Sequence, residues 1–319
     1  MHSRNTLVSA TACVPEFKIK TAPRLSMNIS RGEIRVGRFL IPYRLFGQGS
    51  RFMVCVNAAQ QTMAAWRPVV TYFSKDYRLL LFDFPGQGRA QIISGSAVVS
   101  LDEQVEVLHQ VLSAQNAPEK AIVAGASWGG IVVAVFASRF AHLVDKIILA
   151  SFGIRVSDKL VEAIREGQQS NGDATGEQVA DIIVKYFGQH LGEAFKKKMY
   201  DQFRNIKREQ LENFRAHGQL LETTKHINEV VDLHSIKAQT LIINGEMDTV
   251  MDLDDVTLAA AQIANCVVKI VPGVGHFLHN ESDDVLSIYR AFLSIPSERQ
   301  LSLQPNRQGS ADFFPHSAE

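Results

Sequence analysis

The chain has 319 residues, of which 46% are hydrophobic and 21% are charged, and its 33 basic and 33 acidic side chains give a formal net charge of zero. This composition is typical of a globular protein with a sizeable apolar core, and it excludes a disordered protein. The balanced charge also excludes, on composition alone, a strongly basic nucleic-acid-binding protein.

Cysteine usage and hydropathy indicate the compartment. Cys13, Cys55 and Cys266 lie far apart and form no C-x-x-C pair, so they predict neither a disulfide framework nor a structural zinc site, and they fit a reducing environment. No apolar run approaches the roughly 20 residues of a membrane helix, and the mildly apolar stretch over 7–14 does not predict a signal peptide. We therefore expect a cytoplasmic protein.

Strands and helices alternate over most of the sequence. Short apolar runs predict strands over 33–45 (as two strands), 51–56, 78–82, 121–126, 146–150, 240–243 and 267–271. Apolar residues at helical spacing predict helices over 128–140, 253–264 and 283–293, and another that begins after Ser100, where Glu103 completes a capping box. This alternation predicts the α/β fold class, with a mostly parallel sheet flanked by helices.

Residues 152–236 interrupt the alternation. They read as several amphipathic helices without a convincing strand, which predicts a helical lid inserted into a core made of residues 31–151 and 237–296. An additional structural subdomain is the alternative. Residues 1–30 are predicted to form a flexible arm and residues 297–319 a flexible tail.

The strongest chemical signal is the sequence GASWG from Gly125 to Gly129, placed between a predicted buried strand and a predicted helix. This is the G-x-S-x-G pattern of a nucleophile elbow, in which a sharp turn exposes the serine hydroxyl at the edge of the sheet. A glycine-rich turn that only packs a helix on a strand is the alternative. Ser127 is the predicted nucleophile.

A serine nucleophile needs a base, and the base needs an acid that orients it. Asp248 and His276 each follow a predicted strand, and they come after Ser127 in the order acid, then base. That order and placement match the elbow motif, so we predict a Ser127–His276–Asp248 triad. Glu246 is a rival acid two residues from Asp248. The backbone N–H groups of Trp128 and Ala59 are the predicted oxyanion donors.

Metal chemistry is not predicted. His276 and His279 are three residues apart but lack a third clustered ligand, and the acidic residues around 252–255 lack the pattern of a calcium loop. The basic residues over 196–198 and at 207–208 read as a solvated helix face or, alternatively, as a contact for the phosphates of an acyl carrier.

These motifs together resemble the α/β-hydrolase fold over residues 33–295. Within it, four stretches are similar to the family that comprises the rhamnosyltransferase A subunit and the 3-hydroxyacyl-carrier-protein:coenzyme A transacylase. They are NAAQQTMAAW over 57–66, ASWGG over 126–130, INGEMD over 243–248 and GHFL over 275–278. The sequence departs from the family pattern at Ala58, at 249–251 and at 279–280, which leaves the acceptor and the product open.

The resemblance implies an acyltransferase that forms a 3-(3-hydroxyalkanoyloxy)alkanoate, the lipid precursor of rhamnolipids, from a 3-hydroxyacyl-CoA or 3-hydroxyacyl carrier protein. The alternatives are a transacylase or thioesterase, a generic carboxylesterase, and a ligand receptor on a hydrolase scaffold. We expect no cofactor, no metal and no nucleic-acid partner; partners that handle the product could associate loosely with a membrane. The predicted substrate contacts are Ala58, Gln60, Phe187 and Phe277.

Overall fold

The computed structural model describes residues 29–296 of the protein, without 116, 118, 119, 169–174 and 225. The predicted flexible tail over 297–319 lies outside the described residues, and so does the predicted flexible arm over 1–30 apart from its last two residues. No helix in this part of the sequence has both the length and the apolar character that crossing a membrane requires.

Within the described residues, nine strands form one sheet. They are β1 (Ile29–Val36), β2 (Phe39–Phe46), β3 (Arg51–Val56), β4 (Tyr77–Phe82), β5 (Gln91–Ile92), β6 (Ala121–Ala126), β7 (Val144–Ala150), β8 (Gln239–Gly245) and β9 (Cys266–Val271). β1 begins four residues before the predicted start of the strand at residue 33. The reason is backbone pairing, because β1 pairs with β2 along its whole length, from Ile29 opposite Phe46 to Val36 opposite Phe39.

The strand order is β1-β2-β4-β3-β6-β7-β8-β9, with the short β5 beside β2. β2 runs antiparallel to β1, β4 and β5, whereas all the pairs from β4 to β9 are parallel, which confirms the predicted mostly parallel sheet. Parallel strands end at the same edge of a sheet, so the turns that follow β6, β8 and β9 come together there.

The α-helices that the structure describes are α1 (Arg67–Phe73), α2 (Leu101–Ser113), α3 (Trp128–Arg139), α4 (Asp158–Gln168), α5 (Gly176–Phe187), α6 (Glu193–Phe203), α7 (Arg208–Thr223), α8 (Leu253–Ala260) and α9 (Asp283–Leu293). The predicted capping box of α2 is present, since the N–H of Glu103 donates to Ser100 Oγ and the N–H of Ser100 donates to the Glu103 carboxylate. Hydropathy does not predict helix α1, because its seven residues are too few to show helical periodicity.

Both faces of the sheet are buried under helices. Along β3, Val54 and Val56 join one apolar cluster while Met53 and Cys55 join another, as expected where successive side chains point to opposite faces. Helices α2, α3 and α8 contribute to the first cluster, and α1 and α9 contribute to the second. Burial on both faces explains why these strands read as continuous apolar runs in the sequence.

Helices α4 to α7 follow β7 and precede β8. We call residues 152–236 the helical insertion. It has an apolar cluster of its own, which consists of Val179, Ala180, Ile183, Met199, Phe203 and Leu211. Phe277, from the turn after β9, packs against this cluster and so joins the insertion to the edge of the sheet where the strands end.

His279 is part of the core. Its ring stacks on Trp66 with 4.7 Å between the ring centroids, and burial lowers the pKa of His279 to about 4. The histidine is therefore neutral in the folded protein at pH values where it binds a proton in the unfolded state.

This shift predicts a loss of stability in acid. Between about pH 6.5 and 4 the unfolded state holds the extra proton, so the free energy of unfolding falls as the pH drops, by up to about 3 kcal/mol for one such histidine. His279→Phe keeps an aromatic ring beside Trp66. We expect its free energy of unfolding to fall by roughly 2 kcal/mol less than that of the wild type between pH 7 and pH 4.5. Urea unfolding at both pH values measures this, with His234→Gln at an exposed position as the control. If the free energy of unfolding falls equally in His279→Phe and in the wild type, the lowered pKa of His279 is contradicted.

Candidate active site

Ser127 occupies a strained turn between β6 and α3. Its backbone has φ +50° and ψ −120°, a region that residues other than glycine rarely adopt. Two hydrogen bonds hold it there: the N–H of Ser127 donates to the Ala150 carbonyl at 2.8 Å, and the N–H of Gly130 donates to the Ser127 carbonyl at 2.8 Å. Strain of this kind at a strand-to-helix turn is the geometry of a nucleophile elbow.

The two glycines of the motif allow a close approach of backbones. A Cβ on Gly125 would lie 2.4 Å from the carbonyl oxygen of Gly129, and a Cβ on Gly129 would lie 2.5 Å from the carbonyl oxygens of Val56 and Asn57. Atoms cannot approach this closely without a shift of the backbone. The start of α3 therefore lies directly against β3 and β6 because neither glycine carries a side chain.

The predicted base and acid are in contact. Nδ1 of His276 lies 2.7 Å from Oδ2 of Asp248, and their side chains are 7% and 0% exposed. The other oxygen of Asp248 accepts the N–H of Val250 at 3.1 Å. Glu246, the rival acid, is exposed and accepts the N–H of Gly273 instead. The structure thus decides between the two acids: Asp248 is the partner of His276.

The nucleophile and the base face the same space. Ser127 and His276 both line one large cavity at the edge of the sheet where the strands end. Because Nδ1 of His276 is bound to Asp248, the Nε2 atom is the nitrogen left to receive the serine proton. The three predicted triad residues are thereby brought together on one side of the sheet.

The predicted oxyanion donors border the same cavity. Trp128 is the first residue of α3, so its N–H has no acceptor within the helix. Ala59 lies in the turn after β3, where the N–H of Gln61 donates to the Ala58 carbonyl at 3.1 Å. Both residues line the cavity. Their role as donors to a reacting oxygen remains a prediction.

The predicted substrate contacts fall into two groups. Ala58, Phe187 and Phe277 line the cavity, and the Phe187 ring lies edge-on to the His276 ring with 4.8 Å between centroids. Gln60 does not line it. Its backbone has φ +57°, its side chain is buried, and the neighbouring Gln61 contributes to the wall instead. A turn with one left-handed residue places these two side chains differently, which the sequence did not reveal.

Apolar side chains of the helical insertion form much of the cavity wall. They include Ile164, Val179, Ile183, Phe187 and Phe203. Val179, Ile183 and Phe203 also belong to the insertion's own apolar cluster, so the same side chains stabilise the insertion and line the cavity.

Glu281 contacts the loop that carries His276, and no sequence motif indicates this residue. Its carboxylate accepts the N–H of Gly275 at 2.7 Å and the N–H of Phe277 at 2.8 Å, which are the residues on either side of His276. It also lies 2.8 Å from Nε2 of His190, a residue of the helical insertion. Glu281 therefore holds the loop that carries His276 and connects it to the insertion.

Ser151 is a second such residue. It has φ +51°, its hydroxyl donates to the carbonyl of His276 at 2.8 Å, and its N–H donates to the Ile243 carbonyl. Neither Ser151 nor Glu281 belongs to a recognisable sequence motif. An isolated serine after a strand is the only signal that Ser151 offers, and Glu281 offers none.

The part of the sequence that the structure describes contains no group of three or more His, Cys, Asp or Glu side chains able to hold a metal ion. His279, which the sequence placed near His276, is instead buried against Trp66. Among these residues the polar side chains of the cavity wall are those of Gln61, Ser127, Ser151 and His276 together with those of the insertion.

Comparisons with known proteins agree with this fold. A family model described as alpha/beta hydrolase fold matches residues 52–283. The chain is 25% identical to monoacylglycerol lipase ABHD6 of Homo sapiens over 228 residues, which cover 66% of this chain but only 65% of that protein. It is 24% identical to the pimeloyl-[acyl-carrier protein] methyl ester esterase of Pectobacterium carotovorum over 208 residues, covering 65% of this protein and 70% of that enzyme.

A solved structure shows the same fold. The crystal structure of MGS-M2, an alpha/beta hydrolase enzyme from a Medee basin deep-sea metagenome library, superposes with a TM-score of 0.71. The match has 21% sequence identity and covers 82% of this protein and 97% of that one. At this identity the likeness concerns the fold alone.

The contacts of Glu281 predict that it positions His276. In Glu281→Gln the amide can accept only through one oxygen, so one of the two loop N–H groups loses its acceptor. We expect Ser127 to react roughly tenfold or more slowly with a fluorophosphonate probe, because small displacements of a base cost much of its effect. Glu246→Gln, a matched change on the neighbouring turn, should label at the wild-type rate. Wild-type labelling of Glu281→Gln would exclude the positioning role.

Proposed function

The chain belongs to the α/β-hydrolase fold family, and on that basis we propose that it is a serine esterase that cleaves esters or thioesters of apolar acyl chains. The observation that carries the proposal is the buried hydrogen bond between His276 and Asp248, on a cavity that also contains the strained Ser127. A base oriented by a buried acid beside a serine that lines a cavity is the arrangement that activates a hydroxyl for attack.

In the proposed reaction the Ser127 hydroxyl attacks the carbonyl carbon of the ester, and Nε2 of His276 takes its proton. Asp248 orients the ring and stabilises its protonated form. The Trp128 and Ala59 N–H groups would donate to the oxyanion of the tetrahedral intermediate. His276 then gives its proton to the departing alcohol or thiol, which leaves the acyl group on Ser127. A water molecule, deprotonated by His276, releases the acid and restores the serine.

The cavity supports a substrate with an apolar acyl group. Its wall consists mainly of aliphatic and aromatic side chains from the helical insertion, which favour a hydrocarbon chain over a polar peptide. The two relatives are named as a monoacylglycerol lipase and a methyl ester esterase, which are names of enzymes that act on acyl esters.

The sequence resemblance supports a narrower activity, transfer of a 3-hydroxyacyl group from a thioester to a second 3-hydroxyacyl acceptor. Such transfer requires that the acyl-serine be shielded from water, because water otherwise competes by concentration. Helices α4 to α7 provide apolar cover of this kind. The two relatives described above bear the names of hydrolases, so transfer rests on the sequence resemblance and hydrolysis is the broader proposal.

The basic residues of α6 give little support to a phosphate-bearing carrier. Lys196 pairs with Glu193 at 3.1 Å and Lys197 pairs with Asp201 at 3.3 Å, all on the same helix. These local ion pairs favour the solvated helix face over a docking site for coenzyme A or an acyl carrier protein.

Replacement of the nucleophile tests the proposal directly. Ser127→Ala should lower ester turnover by a factor of about 10⁴ or more while the protein stays folded, because no other group can form the acyl-enzyme. The measurement is hydrolysis of p-nitrophenyl butyrate, with Ser287→Ala on the exposed side of α9 as the control. Wild-type turnover in Ser127→Ala would exclude the triad, and binding without turnover in the wild type would favour a ligand receptor.

Product analysis separates hydrolysis from transfer. We expect mass spectrometry after incubation with 3-hydroxydecanoyl-CoA to show free 3-hydroxydecanoate if the enzyme is an esterase. A dimeric ester, with the mass of two acyl units joined by loss of water, would establish the acyltransferase. Incubation of the Ser127→Ala variant with the same thioester is the control, because any product that it also forms arises without the enzyme's serine.

A further inference from the structure

One arginine of the cavity wall has no counter-ion among the residues that the structure describes. Two arginines line it, and Arg155 pairs with the buried carboxylate of Asp255, with 2.6 Å between Nε and Oδ1. Arg215, on α7, forms no ion pair with any described residue, and its Nη2 atom is buried without a hydrogen-bond partner. No aspartate or glutamate is found among the described residues of the cavity wall. An anionic ligand would give Arg215 the partner that the described residues do not supply.

A second unpaired donor lines the same cavity. Nε2 of Gln168, from the end of α4, is also buried without a partner, and it lies 3.9 Å from the position that a Cβ of Gly218 would take. Arg215 and Gly218 are three residues apart on α7, so they share a helix face. Gly218 has no side chain to fill the space beside the Gln168 amide.

The third donor is His217, and its protonation follows from its neighbours. The indole N–H of Trp128 can only donate, and it donates to the side-chain oxygen of Gln104 at 2.8 Å. This hydrogen bond sets the orientation of the Gln104 amide. The Gln104 amide nitrogen then faces Nε2 of His217 at 2.8 Å and donates to it. Since burial lowers the pKa of His217 to about 4, the ring is neutral and carries its proton on Nδ1.

This Nδ1–H group is buried and has no acceptor among the described residues. His217 is only 4% exposed and lines the cavity. Gln168, Arg215 and His217 thus each bring a buried donor without a partner to the cavity wall, and no described residue of that wall carries a carboxylate. A group that only accepts hydrogen bonds and carries negative charge complements such a wall.

We propose that Arg215 and Gln168, with His217 as an additional donor, bind a carboxylate on the acyl chain, so that the preferred substrates are monoesters of dicarboxylic acids. The proposal builds on the proposed esterase function and narrows its substrate class. The apolar residues of the insertion hold the methylene chain, the triad cleaves the ester at one end, and the donors hold the carboxylate at the other.

Matched substrates test the proposal on the wild-type enzyme. Mono-p-nitrophenyl adipate and p-nitrophenyl hexanoate have six-carbon acyl chains and differ in the terminal carboxylate; the eight- and ten-carbon pairs extend the comparison. We expect kcat/KM to be at least tenfold higher for the carboxylate-bearing ester at one or more of these lengths. If no pair shows this preference while the esters are hydrolysed, the carboxylate site is wrong.

Variants identify the residue that is responsible for the preference for carboxylate-bearing esters. Arg215→Met should reduce the ratio of the two kcat/KM values to about one, and Arg215→Lys should restore part of it. Arg208→Met, at the exposed start of the same helix, removes the same charge outside the cavity and should keep the wild-type ratio. A wild-type ratio in Arg215→Met would overturn the assignment of this residue. If Arg215→Met does not fold, the wild-type substrate series still decides.

A binding measurement separates this proposal from the esterase itself. In Ser127→Ala, suberate should raise the melting temperature more than octanoate does, and Arg215→Met in that background should abolish the difference. If no ester is cleaved and Ser127 is not labelled by a fluorophosphonate, the proposed function fails, but a suberate effect would still establish the anion site. Hydrolysis without any suberate effect or substrate preference would leave the esterase and remove the site.

Discussion

The strained backbone of Ser127 is the constraint on which the rest of the site depends. A left-handed residue costs of order 1–3 kcal/mol and persists only where its surroundings hold it. Here the surroundings are the two glycine contacts with β3 and β6 and the hydrogen bond to Ala150. The same turn starts α3, which leaves the N–H of Trp128 free of helical acceptors and directs the indole of Trp128 toward Gln104 and His217.

Hydrogen bonding differs between the two sides of the cavity. On the triad side, the carboxylates are saturated: Asp248 accepts from Val250 and contacts His276, and Glu281 accepts two loop N–H groups. On the side formed by α4 and α7, buried donors lack partners. Catalytic groups need fixed positions before substrate arrives, whereas recognition groups are completed by the substrate itself.

The helical insertion connects these two sides. Its apolar side chains pack on one another and also form the cavity wall, so a change in their size alters both the stability of the insertion and the space for an acyl group. His190 links the insertion to Glu281, and a Cβ on Gly275 would lie 2.0 Å from the His190 ring, which shows how closely the two segments pack. The loop that carries His276 thus depends on contacts from both the core and the insertion.

The sequence by itself determined the α/β fold class, the mostly parallel sheet and the residues Ser127, Asp248 and His276 as candidates, because these follow from local patterns: apolar runs, a glycine-flanked serine, and polar residues directly after strands. It predicted Asp248 as the acid but left Glu246 as a rival, since the directions of two side chains in one turn are not known from the sequence. Only the tertiary structure decided where β1 starts and that Gln61 instead of Gln60 lines the cavity. It alone also showed that Glu281 holds the loop that carries His276 and that donors of α4 and α7 are unpaired. Each depends on which atoms meet across long separations in the sequence, and hydropathy and spacing carry no record of those contacts.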